Sequence, residues 1–236
     1  FRFRHFSVED GLSSNSVRAI MQDKYGFLWI GTEEGLNRYD GIMIKSYSIC
    51  PQAAGKYISS LYGTKKNIWI GTDEGIYIYA YATETFTYFD LTTPNNVRIT
   101  SIVNHILQDK DGNLWFSTNG QGLFRYNLSK NYLEQYEFTS AFGIVASTMA
   151  DSDNQIWALT NQGESGVYKL NKAENKFEPF GLLYNAGNHH SQALAMLEDS
   201  EQTLWLGTWE CGLQKIDKYT RQTTTYLHPT DGRSEE

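Results

Sequence analysis

Five tryptophans in one repeated context constrain the fold of this chain more than any other feature. Each is followed three residues later by a threonine, and successive tryptophans lie 40 to 48 residues apart. They are Trp29, Trp69, Trp115, Trp157 and Trp205. A repeat of roughly 40–50 residues is typical of the four-stranded blade of a β-propeller. The sequence therefore predicts an all-β propeller of four-stranded antiparallel blades, with five blades present.

Turn signals divide each repeat into four strands. In the first copy we expect strands at residues 17–23, 27–32, 35–40 and 43–49, separated by turns rich in Asp and Gly. Six residues before each tryptophan stands an aspartate, except in the second copy, which has Gly63. We expect this aspartate to cap the turn between the first two strands, and the tryptophan to pack between neighbouring blades.

The repeats divide a single domain, residues 1–236, into five blades. Their approximate boundaries are 8–50, 51–92, 93–139, 140–183 and 184–230. Residues 1–7 alternate like an outer strand, so they are predicted to belong to a preceding or closing blade. We interpret the chain as five blades of a seven-bladed ring; the alternative is a small ring with a spare strand. The first interpretation predicts exposed apolar faces at both ends and self-association as a homodimer.

Charge and hydropathy argue against several functions. The net charge is −7 and no Lys/Arg block is present, which argues against a surface for nucleic acid or anionic membranes. No apolar run approaches the roughly 20 residues of a membrane helix. The chain lacks an initiator Met and a leader, so we expect it to be a segment of a longer protein. Cys50 and Cys211 are the only cysteines, and a disulfide between them would favour a small closed ring.

The most specific stretches are residues 6–17 (FSVEDGLSSNSV), 20–32 (IMQDKYGFLWIGT) and 35–41 (GLNRYDG). They closely resemble the two-component regulator propeller repeat, and the resemblance covers essentially the whole chain. It is closest in the first copy and loosest in the fourth. The resemblance implies the N-terminal periplasmic sensor region of a Bacteroidetes hybrid two-component system, which responds to oligosaccharides released from glycans.

The resemblance also implies parts that lie outside this chain. These are a β-sandwich, a membrane helix, a histidine kinase, a receiver and a DNA-binding domain. Membrane attachment and kinase activity would therefore come from elsewhere in the polypeptide, and this segment would itself be no enzyme.

Ligand residues are expected on the loops that join one blade to the next and on the turns between second and third strands, because these share one face of a propeller. Sugar binding needs flat apolar rings for stacking, and amides or carboxylates for hydroxyl groups. Trp209 is the strongest candidate, since it breaks the repeat beside a loop glycine. The other candidates are Glu33, Tyr57, Asp73, Arg98, Asn119, Gln121, His189 and Glu210.

Other chemistries find less support in the sequence. Adjacent His189 and His190 would point apart in a strand and lack a third ligand, so no metal and no cofactor are predicted. The acidic pairs 33–34 and 73–74 occupy equivalent turns, which explains them without a catalytic role. Two hypotheses compete with the sensor. One is a protein-interaction or dimerisation scaffold without its own small-molecule site; the other is a propeller enzyme, for which no paired catalytic residues are present.

Overall fold

The computed structural model describes residues 3–49, 56–138, 143–160, 166–182, 193–208 and 212–226. Within these ranges a short 3-10 helix, Val8–Asp10, precedes twenty β-strands. The strands in chain order are β1 (Val17–Gln22), β2 (Leu28–Thr32), β3 (Gly35–Tyr39), β4 (Ile44–Tyr47), β5 (Ile58–Gly63), β6 (Asn67–Thr72), β7 (Gly75–Ala80), β8 (Thr85–Tyr88), β9 (Val103–Gln108), β10 (Leu114–Thr118), β11 (Leu123–Asn127), β12 (Tyr132–Tyr136), β13 (Val145–Ala150), β14 (Ile156–Thr160), β15 (Gly166–Asn171), β16 (Lys176–Leu182), β17 (Ala193–Glu198), β18 (Thr203–Thr208), β19 (Leu213–Asp217) and β20 (Thr223–Tyr226).

The strands form five four-stranded sheets, each an antiparallel meander of four consecutive strands. Sheet 1 contains β1–β4, sheet 2 β5–β8, sheet 3 β9–β12, sheet 4 β13–β16 and sheet 5 β17–β20. Each sheet corresponds to one of the sequence repeats, with a tryptophan in its second strand. The predicted all-β architecture of five four-stranded antiparallel blades is confirmed.

Residues 3–7 form no strand, in contrast to the expectation from their alternating pattern. Phe6 packs on Tyr39 with ring centroids 4.9 Å apart, and Arg4 donates a hydrogen bond to the Tyr39 hydroxyl over 3.3 Å. Ser7 then caps the 3-10 helix by accepting a hydrogen bond from the Glu9 amide. An outer strand forms its hydrogen bonds with the third strand of its own blade. The assignment of residues 1–7 to a preceding or closing blade therefore stays a prediction.

The hydrophobic core lies between the sheets. Four buried clusters join sheet 1 to sheet 2, sheet 2 to sheet 3, sheet 3 to sheet 4, and sheet 4 to sheet 5. In the first cluster Trp29 packs with Ile58 of the next sheet, and in the last Trp157 packs with Leu206. The tryptophans of sheets 1 to 4 are at most 3% exposed. The expected packing of tryptophan between neighbouring blades is confirmed for these four.

A glycine two residues after the tryptophan lets neighbouring sheets approach closely. A Cβ atom added at Gly31 would lie 2.5 Å from Ile58 Cγ2, and one at Gly71 would lie 2.9 Å from Val103 Cβ. Both distances are far inside van der Waals contact, which for carbon atoms is about 3.5–4.0 Å. A Cβ atom at Gly207 of sheet 5 would meet no described residue within 4 Å. In the part of the chain that the structure describes, the equivalent glycine of sheet 5 therefore has no neighbouring sheet packed against it.

The outward faces of sheets 1 and 5 are apolar and exposed. Ile20 of β1 is 67% exposed and Leu197 of β17 is 55% exposed. The strand registers make Ile20 equivalent to Leu61 of sheet 2, and Leu197 equivalent to Tyr62. Leu61 packs in the interface with sheet 1, and Tyr62 in the interface with sheet 3. The expected exposure of apolar faces at both ends of the row is confirmed.

An aspartate at the end of the first strand joins the turn to the tryptophan. Asp23 Oδ1 accepts hydrogen bonds from the amides of Tyr25 and Phe27, and its Oδ2 accepts one from Trp29 Nε1 over 2.8 Å. Sheets 3, 4 and 5 repeat the indole bond with distances of 2.8, 3.0 and 2.6 Å. The predicted capping role of the aspartate is confirmed in these four sheets.

Sheet 2 departs from this arrangement because its first hairpin is one residue shorter. Gly63 pairs with Ile68, and the Thr64 amide donates to the Asn67 carbonyl over 2.8 Å. Thr64 rather than Gly63 therefore takes the position of the aspartate, which corrects the alignment made by counting back from the tryptophan. Thr64 Oγ1 accepts from the Asn67 amide over 3.0 Å, but the buried Trp69 Nε1 has no acceptor among the described residues.

Candidate functional site

A β-bulge near the start of the first strand shapes the loop-bearing end of every sheet. A bulge leaves one residue out of the ladder and re-aims its side chain. In sheet 2 this residue is Ser59, which donates to the Val103 carbonyl over 2.8 Å, and in sheet 3 it is Asn104, which donates to the Val145 carbonyl over 2.9 Å. The first bond joins sheet 2 to sheet 3, and the second joins sheet 3 to sheet 4. In sheet 1 the bulged residue is Arg18, which has a different role.

Arg18 brings two of the predicted ligand residues together. Its Nε donates to Glu33 Oε1 over 3.0 Å, and its guanidinium carbon lies 5.9 Å from the centre of the Tyr57 ring. The hydrogen bond from Arg18 holds the pKa of Glu33 below its ordinary value, and the same bond raises the pKa of Arg18, with a further contribution from Tyr57. This set of Arg18, Glu33 and Tyr57, called the Arg18 group here, presents a charged pair beside an aromatic ring.

Gln121 holds a loop in place through both ends of its amide. Its Oε1 accepts from the amides of Thr100 and Ser101 over 2.9 and 3.0 Å, and its Nε2 donates to the Arg98 carbonyl over 2.9 Å. The Arg98 side chain pairs with Asp90 over 2.7 Å. The structure thus brings Gln121 and Arg98 together, although the Gln121 side-chain amide is already engaged by the loop from Arg98 to Ser101.

The remaining candidates are more scattered. The backbone amide of Asn119 donates to the Ile102 carbonyl over 2.9 Å. Asp73 lies exposed in the turn between β6 and β7. In that turn Glu74 pairs with Lys56. Trp209, Glu210 and His189 lie outside the described residues, as do Cys50 and Cys211. The ligand roles of all nine candidates stay predictions.

Sequence reasoning missed Arg18. A basic residue inside an expected strand is normally assigned to a solvent-exposed position of the alternating pattern. The signal was the same position in the other repeats, where polar Ser59 and Asn104 also follow a β-branched residue. No group of three or more His, Cys, Asp or Glu side chains within the described ranges could hold a metal ion.

Comparison with known proteins agrees with the repeat and the fold. The family described as Two component regulator propeller matches residues 11–34 and 96–120. A histidine kinase of Formosa agariphila is 50% identical over 52 residues, which is 22% of this chain and 4% of that protein. The crystal structure of the extracellular domain of a putative hybrid two-component system from B. thetaiotaomicron is 26% identical, with a TM-score of 0.78, over 94% of this chain and 31% of that one.

A more distant likeness concerns the fold alone. Virginiamycin B lyase from Staphylococcus aureus is 16% identical, with a TM-score of 0.70, over 92% of this chain and 71% of that one. In the part of the chain that the structure describes, no helix is long and apolar enough to cross a membrane.

The sheets, their interfaces and the repeated tryptophans define a propeller segment, which is similar to part of the extracellular domain of a putative hybrid two-component system. Residues 11–34 and 96–120 match the two-component regulator propeller repeat. It spans about a third of the length of the extracellular domain it resembles and a small part of the histidine kinase.

Proposed function

We propose that the chain is a periplasmic ligand-sensing segment of a hybrid two-component receptor, and that it signals to a histidine kinase elsewhere in the polypeptide. The observation that carries this proposal is the likeness to a two-component extracellular domain over 94% of the chain, together with the two matched regulator repeats. The five sheets are then part of a larger ring, because the faces around Ile20 and Leu197 have the composition of blade interfaces.

The ligand class we propose is an oligosaccharide released from a glycan. The Arg18 group supports this choice, since an aromatic face suits a sugar ring and a planar charged pair suits its hydroxyl groups. Glu33 stays ionised beside Arg18, so it acts as an acceptor for hydroxyl donors. The partners that we propose for this segment are a second copy of the chain and a sugar ligand.

A reporter assay with the full-length receptor tests the proposal. Cells that carry the receptor gene are exposed to oligosaccharides from single glycans, and transcription of a reporter is measured. We expect a response to one glycan class, and its loss in the Arg18→Ala and Trp209→Ala receptors. Tyr132→Ala, on the outer strand of sheet 3, is the matched control and should respond like the parent. Silence with every glycan would refute the sensor role, and full response of both variants would refute the assignment of the ligand site to Arg18 and Trp209.

A dimerisation scaffold is the second candidate, and the exposed apolar ends favour it. Sedimentation velocity of the purified chain, with Ile20→Glu and Leu197→Glu variants, measures this role. Ile42→Glu is a matched control, because Ile42 is 83% exposed and lies in the turn between β3 and β4. Loss of the dimer in the end-face variants alone supports the scaffold. A monomer at all concentrations excludes it.

A further inference from the structure

A cavity between sheets 1 and 2 lies at the opposite end of the sheets from the Arg18 group. Tyr25 precedes β2 in the chain, whereas Glu33 follows it, so the two belong to opposite ends of that strand. The cavity has a volume of about 220 Å³. Its lining includes one guanidinium and five aromatic rings, which are Arg38, Tyr25, Phe27, Trp29, Tyr79 and Tyr81.

Arg38 has aromatic neighbours and forms no ion pair with an acid among the described residues. Its guanidinium carbon lies 4.6 Å from the centre of the Phe27 ring and 5.5 Å from that of Tyr47. The buried Arg38 Nε finds no acceptor among the described residues, and the buried Tyr81 hydroxyl, on the same cavity, finds no partner there. Leaving a buried donor without an acceptor is costly, so two such donors on one cavity make it a candidate site for an external acceptor.

Sheet 3 shows what Arg38 lacks. Arg125 stands opposite Trp115 as Arg38 stands opposite Trp29. Arg125 pairs with Glu134, its neighbour on the next strand, over 2.5 Å. The corresponding neighbour of Arg38 is Lys45. Sheet 1 therefore keeps the arginine of this interface and replaces its carboxylate with a second positive charge.

The acids at the cavity do not neutralise Arg38. Asp23 is engaged by Trp29 Nε1 and two turn amides, and Glu84 shares the cavity without forming an ion pair with Arg38. The Lys24 ammonium lies 4.6 Å from the centre of the Tyr81 ring. Burial raises the pKa of Tyr81 to about 12, so its hydroxyl remains a proton donor at neutral pH. The cavity is thus rich in donors and aromatic surface.

We propose that this cavity binds a small carboxylate carried on a ring, such as one uronic acid unit, with the carboxylate on Arg38 and the ring against the tyrosines. Guanidinium and carboxylate match in geometry, and aromatic faces suit a ring with apolar edges. The volume is below the roughly 300–1,000 Å³ of sites for drug-sized molecules, which limits the occupant to a single ring. The site is separate from the loop-bearing face, so it stands even if the sensor proposal fails.

Calorimetric titration of the purified chain with glucuronate tests the site, with glucose as the neutral match. We expect saturable binding of glucuronate and at least about tenfold weaker binding of glucose, because a charge-assisted pair contributes that much affinity. Arg38→Gln should weaken the affinity for glucuronate by about tenfold or more, and Tyr81→Phe should weaken it by less. The double variant Arg125→Gln/Glu134→Gln changes the equivalent pair in sheet 3 and should bind like the parent.

The outcomes are distinct. Absence of saturable binding at millimolar glucuronate, equal affinity for glucose, or unchanged affinity of Arg38→Gln would each overturn the proposal. Equally strong competition by sulfate would overturn the part that assigns a ring. Urea midpoints for each variant show that it is folded, and Tyr81→Phe retains the ring in case Arg38→Gln does not fold.

Discussion

Replacing Thr64 with aspartate should stabilise the protein. Thr64 occupies the position that holds an aspartate in the other four sheets. It lies two residues beyond Tyr62, the cross-strand partner of Trp69, and therefore on the same face of the hairpin as Trp69. The Trp69 indole is 3% exposed and its N–H has no acceptor among the described residues. An aspartate here would accept from Trp69 Nε1 at one oxygen and from the turn amides at the other, as Asp23 does.

The magnitude follows from the energetics of buried donors. An unsatisfied buried N–H costs about 1–3 kcal/mol, and a hydrogen bond to a charged acceptor contributes about 1.5–3 kcal/mol net. The aspartate also loses hydration, because Asp23 at the same position is 8% exposed. We therefore expect a net gain of about 1–2 kcal/mol, which raises the urea midpoint by about 0.3–0.7 M for an m-value near 3 kcal/mol/M.

A double-mutant cycle measures the new bond directly. Trp69→Phe should cost less free energy of unfolding than Trp29→Phe in the parent, because only Trp29 loses a hydrogen bond. In the Thr64→Asp background Trp69→Phe should become as costly as Trp29→Phe. Thr64→Ser keeps the turn hydroxyl and should leave the midpoint unchanged. A coupling energy of zero between positions 64 and 69, or a lower midpoint for Thr64→Asp, would refute the reasoning.

Three further perturbations test the sheet interfaces by urea unfolding. Gly31→Ala should lower stability by about 1–3 kcal/mol, since its Cβ would collide with Ile58, whereas Gly207→Ala should stay near neutral; equal effects would contradict the close-packing argument. Lys218→Met should cost about 3–5 kcal/mol, because this 3% exposed ammonium bridges sheets 4 and 5 through acids 2.7 and 2.8 Å away; a neutral result would show that the acids are solvated. The Trp205 bond lowers the pKa of Asp199, so its stabilisation is present above the ordinary value of 3.8 and is lost as pH falls below it; Asp199→Asn should flatten that acid limb of the stability curve, and an unchanged limb would rule out this contribution.

The repeat determined most of the fold because it records contacts that recur. Trp29 and its counterparts in sheets 2 to 4 pack against the next sheet, and an aspartate closes the turn before the tryptophan in sheets 1, 3, 4 and 5. The departure in sheet 2 could not be seen by counting, because a hairpin one residue shorter moves Thr64 into register while Gly63 keeps the expected spacing. Counting residues back from the tryptophan gives only a distance along the chain. The residues that face each other across the hairpin are known only from the hydrogen bonds between its strands.

The candidate site was less predictable because its residues meet across blades. The sequence placed Glu33 and Tyr57 on one face but gave no reason for their proximity, which comes from the bulged Arg18. Gln121 is polar and lies on the expected turn, yet its amide is engaged by the loop from Arg98 to Ser101.

The replacement of an acid by Lys45 in one repeat is visible in the sequence only after the cross-strand register is known. Residues common to all blades therefore describe the scaffold, and the positions where one blade departs from the others carry the chemistry that distinguishes it. Arg38 illustrates this division, because it keeps the arginine found in sheet 3 while its missing carboxylate leaves a donor for an external anion.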